Sequence, residues 1–137
     1  MTTGIATMQD ILVTFPGGKR VDAQVGSYVV HTDQPVDAGG NGSAAAPFDL
    51  FLASLATCAG IYVLGFCQSR NLDTTGLGLR QHVEVDEATK LPRKITIEIT
   101  LPRDFPEKYR TAVVRAAEGC KVKKTITAAP SFDVVVT

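Results

Sequence analysis

Residues 47–71, PFDLFLASLATCAGIYVLGFCQSRN, are apolar on every side and hold two of the chain's three cysteines, Cys58 and Cys67. From Leu50 to Cys67 no residue is charged, and Ser54, Thr57 and Tyr62 supply the only hydroxyls. A surface helix shows one apolar stripe, whereas a helix that is apolar all round has to be wrapped by protein or by lipid. The uncharged run reaches the lower length limit for a membrane span. Asp49 in the first turn, a single Arg70 beyond the far end and no Lys/Arg cluster to set topology argue instead for a buried helix in a soluble protein. At 1.5 Å per residue such a helix is roughly 37 Å long, about the diameter of so small a globule. One chain can hardly cover it, and an intimate homodimer with two such helices at its centre is expected.

The rest of the 137 residues fits one domain, 1–137, with no room for a second core. Fourteen basic residues balance fourteen acidic ones, so no positive field exists to attract nucleic acid. Three cysteines are an odd number, and no charged segment followed by an apolar one opens the chain. Both features point to the cytoplasm, with thiols kept for reactivity or packing rather than a secreted disulfide framework.

Upstream, Ile11, Val13 and Phe15 alternate with Leu12 and Thr14, Pro16-Gly17-Gly18 turns the chain, and Val21, Ala23 and Val25 alternate with Asp22 and Gln24. Ser27–Thr32 reads as a third short strand. Residues 33–46, DQPVDAGGNGSAAA, match neither a P-loop nor a dinucleotide fingerprint and read as a flexible connection. Pro47 suits a first helical turn.

Downstream, Leu77, Leu79, Val83 and Val85 alternate with charged residues, as do Ile95, Ile97, Ile99 and Leu101 with polar ones, which predicts two half-buried strands joined by a turn at Thr89–Pro92. Asp104 is placed to cap a second helix starting near Pro106, and Gly119 to end it. Cys120 opens a short helical run, CKVKKTIT, and Phe132, Val134 and Val136 predict a closing strand. The expected class is α+β, in the order β-β-β, long helix, β-β, two helices, β.

Cys58 taken alone reads as a small buried hydrophobe. Cys120 alters that reading, because a thiolate at a helix start beside Lys121, Lys123 and Lys124 gains from helix-terminal N–H groups and ammonium charge. Two distant cysteines, one shielded and one at a helix start, are what a thiol–sulfenate–disulfide cycle needs. Cys67 lies about 180° around the helix from Cys58 and reads as packing. Only two histidines occur, His31 and His82, in predicted strands, and no Cys/His pair has zinc-ligand spacing. No glycine-flanked nucleophile supports a Ser-His-Asp site.

Pro47 followed eleven positions later by Cys58 on a long apolar helix, then Cys120 in the pattern C-x-V-x-x-x-I (Cys120, Val122, Ile126), resembles the OsmC/Ohr family of osmotically inducible and organic hydroperoxide resistance proteins. The order of elements agrees over essentially the whole chain. The resemblance implies an α+β swapped homodimer and a cysteine-based peroxidase that needs no cofactor or metal, with Cys58 peroxidatic and Cys120 resolving. It implies an organic hydroperoxide as substrate, a dithiol as reductant, and neither nucleic acid nor membrane as partner. It also implies an arginine from the N-terminal strands beside the thiolate, for which Arg20 is the candidate, with Lys19 one position away. In the hydroperoxidases of this resemblance a glutamate follows the helix-opening proline; here Phe48 stands there and Asp49 comes one step later. A non-catalytic protein of the same fold, holding an apolar ligand in a cavity at the dimer interface, is the alternative that Phe48 favours.

Overall fold

Pro47–Ser69 forms one uninterrupted helix, α1, two residues shorter than the apolar stretch suggests. The computed structural model describes residues 4–137, which gather into two compact units, one reaching to Phe51 and the other Leu52–Thr137. The boundary between them falls inside α1.

The first unit contains three antiparallel strands in sequential order: β1 (Leu12–Gly17), β2 (Arg20–Val25) and β3 (Tyr28–Thr32). Two-residue turns at 18–19 and 26–27 account for this order, since short connections leave consecutive strands no neighbour but each other. The alternation of β1 does not translate into a buried face: Val13 and Phe15 are exposed, and so is Leu12 on the other side.

The connection that reads as flexible is tied down at one residue. Asp33 is fully buried, and its carboxylate accepts hydrogen bonds from the N–H of Gln34 (2.7 Å), Asn41 (3.4 Å) and Ser43 (3.0 Å) and from the Ser43 hydroxyl (2.6 Å). Those donors hold its pKa down at about 2. A short 3-10 turn, Val36–Ala38, completes the loop. Gly40 closes it: a Cβ there would sit 2.0 Å from the Gln34 carbonyl oxygen, so only glycine lets the backbone come this close. The sequence shows the glycines but not that a buried carboxylate gathers them.

In the second unit, β4 (Gly78–Val85) and β5 (Pro92–Thr100) pair antiparallel, with the turn between them where it is expected. Asp86 accepts from the N–H of Ala88 and Thr89, both at 2.9 Å, and so shapes that turn. Ile95, Ile97 and Ile99 point inward along β5 while Thr96, Glu98 and Thr100 face solvent. On the inward face of β4, Gln81 donates to the Leu52 carbonyl of α1 at 3.0 Å. Two short helices follow, α2 (Arg110–Glu118) and α3 (Lys121–Ala128).

Two expectations need correcting. Asp104 does not cap the second helix; it lies in a preceding turn, and the helix is entered through a 3-10 turn at Glu107–Tyr109. Gly119 does end α2, its N–H bonding the Ala116 carbonyl. The closing strand is not formed: residues 129–137 have no regular structure, and Phe132, Val134 and Val136 are 86–99% exposed. A strand needs a free edge to pair with, and alternation in one sequence cannot supply it. Within the chain one side of α1 stays uncovered, as its length leads one to expect. Leu55, Ala59, Val63 and Cys67, four residues apart, form its buried stripe, while Phe48, Phe51, Ile61 and Tyr62 stay exposed. By length and composition α1 is also the one helix among the described residues that could cross a membrane.

Candidate functional site

Cys58 and Cys120, 62 positions apart in the chain, meet in the second unit. Cys58 projects from the middle of α1 beside the buried Leu55/Ala59 stripe and is half-buried. Cys120 is 2% exposed and occupies the position just before α3, where the backbone is extended and the helix's first N–H groups have no partner within the helix.

The electrostatics of the pair are asymmetric. The Cys58 thiol is pushed below its ordinary value, first by a hydrogen bond from the Cys120 thiol, then by the backbone N–H of Val122 and of Lys121, and by the Lys121 charge; burial opposes them. The Cys120 thiol is pushed up, first by burial and then by that same hydrogen bond, which it must keep its proton to donate. The sequence suggests that Cys120 itself profits from the helix start. In the structure it does, through the N–H of Lys123 and Val122, but burial outweighs them, and the N–H of Val122 and Lys121 lower Cys58 as well.

A cavity of about 610 Å³ adjoins the pair on the Cys120 side, walled by Leu55 and Ala59 of α1, the inward isoleucines of β5, and Val113 and Ile126 of the two short helices. Cys120 is part of its wall; Cys58 is not. Arg110 and Lys123 carry positive charge on the wall and Glu118 negative charge.

The other expected site residues belong to the first unit. Arg20 is exposed at the start of β2, its guanidinium folded across the turn near Gly17. Lys19 occupies that turn, with its side chain near Gly39. Asp49 is exposed, and its carboxylate accepts from the Ala46 N–H at 3.3 Å, holding the start of α1 as a negative charge at a helix N-terminus does. All three belong to the unit that ends at Phe51. Phe48 is half-exposed and packs on Phe51, ring centroids 5.6 Å apart.

Cys67 is fully buried and desolvation raises its thiol pKa, with Arg70 opposing weakly. Next to it, Arg70 stacks 3.7 Å over Phe66, which meets Tyr109 edge-on. His31 pairs with Asp22 at 3.1 Å on the first sheet, and His82 is exposed on β4. Among the described residues no three His, Cys, Asp or Glu side chains are grouped as a metal would need. Sequence reading anticipated N–H donors at the start of α3 but assigned them to Cys120 alone. The one available signal was a cysteine directly preceding a helical run.

An α+β chain with a hydrogen-bonded thiol pair between a long helix and a short one defines a dithiol protein. The family model described as OsmC-like protein matches residues 40–135, and the chain belongs to that family. No curated protein matches the sequence. Among solved structures, an osmotic stress induced and detoxification response candidate from Psychrobacter arcticus 273-4 shares 25% identity over 88% of this chain and 90% of its own, with a TM-score of 0.73. An OsmC like protein from Mycoplasma pneumoniae is 12% identical over 91% of each chain, TM-score 0.70. The organic hydroperoxide resistance protein OhrB of Bacillus subtilis is 21% identical over 88% of this chain and 93% of its own, TM-score 0.51. The last two likenesses establish the shared fold alone.

Proposed function

We propose that this protein is a cytoplasmic, thiol-dependent reductase of organic hydroperoxides. One arrangement carries the reading: Cys58 of α1 and Cys120 at the start of α3 come together, with the Cys58 thiol pushed down and the Cys120 thiol pushed up. A nucleophile that ionises first, touching a partner that stays protonated, is the division of labour a two-cysteine peroxidase requires.

In the proposed cycle the Cys58 thiolate attacks one oxygen of the peroxide, the O–O bond breaks, and the second oxygen departs with a proton as an alcohol. Cys58 is left as a sulfenic acid. The Cys120 sulfur then attacks the Cys58 sulfur, hydroxide leaves and takes the Cys120 proton to form water, and a disulfide results. An external dithiol restores both thiols by exchange, supplying the two electrons. Arg20 is proposed as a further cation assisting the thiolate and Asp49 as its carboxylate partner, as the family resemblance implies.

A homodimer belongs to the same proposal. The exposed apolar side of α1, with Ile61, Tyr62 and Gly65, supports it, since a second copy would remove that surface from water. The second reading, a binding protein without turnover, draws its support from Phe48 at the position of the missing glutamate and from the apolar cavity.

Stoichiometric cumene hydroperoxide followed by peptide mass spectrometry separates the two readings. The peroxidase yields a Cys58–Cys120 disulfide and loses turnover on Cys58→Ser. Equal peroxide consumption by Cys58→Ser and wild type leaves only the binding protein.

A further inference from the structure

We propose that Cys58 and Cys120 together bind one monovalent copper ion, Cu(I), as a two-coordinate bis-thiolate at the start of α3. The pair joins the middle of α1 to the residue before α3, so helix backbone fixes both sulfurs. Cys120 is buried and Cys58 half-buried, which shields a bound ion from water and from competing thiols.

The number of ligands selects the metal. Zinc takes four ligands in structural sites and keeps three protein ligands in catalytic ones. Among the described residues no third Cys, His, Asp or Glu joins the pair. Cys67 lies about two and a half turns further along α1. His31 is engaged by Asp22, and His82 is exposed on β4. What two thiolates alone can hold is a soft cation, Cu(I) foremost.

Charge separates the soft cations from one another. Two thiolates around Cu(I) leave one net negative charge, whereas around Hg(II) they leave none. The Lys121 ammonium and the backbone N–H of Lys121 and Val122 act on Cys58 and favour the charged complex. On binding, each sulfur gives the metal an electron pair, each thiol that still carries a proton releases it to water, and no electron is transferred. Copper and peroxide therefore exclude one another at Cys58. The binding inference does not depend on turnover, and a titration without peroxide tests it separately.

The experiment is anaerobic titration of the full-length reduced chain with Cu(I) held by the coloured chelator bicinchoninate. The chain withdraws one Cu(I) per chain, and X-ray absorption shows two sulfur neighbours. Cys58→Ser and Cys120→Ser each lose the ion, and Cys67→Ser binds as wild type. Native alkylation of Cys58 abolishes binding with no substitution at all. Lys121→Gln weakens binding about fivefold, the scale of an exposed charge interaction, while Lys121→Arg and Lys124→Gln leave it unchanged.

Copper retained by either serine variant of the pair overturns the proposal. So does its displacement by an equal concentration of Zn(II), which would show a site with more ligands than these two. One ion per two chains with three or four sulfur neighbours overturns it as well, by placing the metal between copies.

Discussion

Cys58 and Cys120 shift one another's thiols in opposite directions: the Cys120 thiol and the backbone N–H of Val122 and Lys121 push Cys58 below its ordinary value, while burial and the Cys58 sulfur push Cys120 up. Of the two, Cys58 is thereby the one that ionises more readily. The deeper burial of Cys120 and the N–H groups at the start of α3 act together to separate the two thiols.

Cys120→Ala removes the leading cause of the lowered Cys58 pKa, and Cys120→Ser keeps a hydroxyl donor. The rate of Cys58 carboxamidomethylation against pH reads the difference. In wild type its midpoint falls below the ordinary thiol value of about 8.5. It moves upward in Cys120→Ala and less in Cys120→Ser; coincident profiles would show that the hydrogen bond does not set the ionisation.

Folding linkage follows from the same shift. A thiol whose pKa is depressed on folding adds stability that is fully present above its unfolded value and lost as pH falls through the folded one. Wild type therefore gains over Cys58→Ser as pH rises from neutral toward 9, measured as the difference in melting temperature.

Asp33 gives a second, acid window. Its carboxylate, held at about 2 by the Ser43, Gln34 and Asn41 donors, contributes stability that is complete above its unfolded pKa, about 4, and is lost as pH falls toward 2. Asp33→Asn melts several degrees lower than wild type at pH 7, and the gap narrows between pH 4 and pH 2. A gap independent of pH would mean that packing, not charge, organises the loop.

Glycine substitutions test the close approach and the exposed helix face separately. Gly40→Ala forces a Cβ onto the Gln34 carbonyl and costs about 1–3 kcal/mol in denaturant unfolding. Gly65→Ala meets nothing within 4 Å in the single chain and, by helix propensity alone, stabilises by about 0.5–1 kcal/mol. If a second copy packs there, Gly65→Arg converts a dimer to a monomer in light scattering; a wild type that is already monomeric refutes the proposed dimer.

Cys67 should stay unmodified when Cys58 is alkylated in native protein, because it is buried and its pKa is raised. Modification at equal rates would show that α1 opens readily at its C-terminal half.

Much of this molecule was legible in the residues. The uncharged run at 50–67, the period-2 alternation of Ile95–Leu101 and the glycine at 119 each specify local structure, because side-chain periodicity and helix stops act within a few positions. The pairing of Cys58 with Cys120 came from motif spacing and family resemblance, and the structure brings the two sulfurs together. Tertiary structure alone decided which thiol is lowered and which raised, since the causes are the contact between the two cysteines and the burial of Cys120, which no side-chain pattern announces. It alone decided that residues 33–46 are gathered on a buried Asp33, and that Phe132–Val136 stay unpaired, because a carboxylate finds its donors and a strand its edge only once distant segments have met.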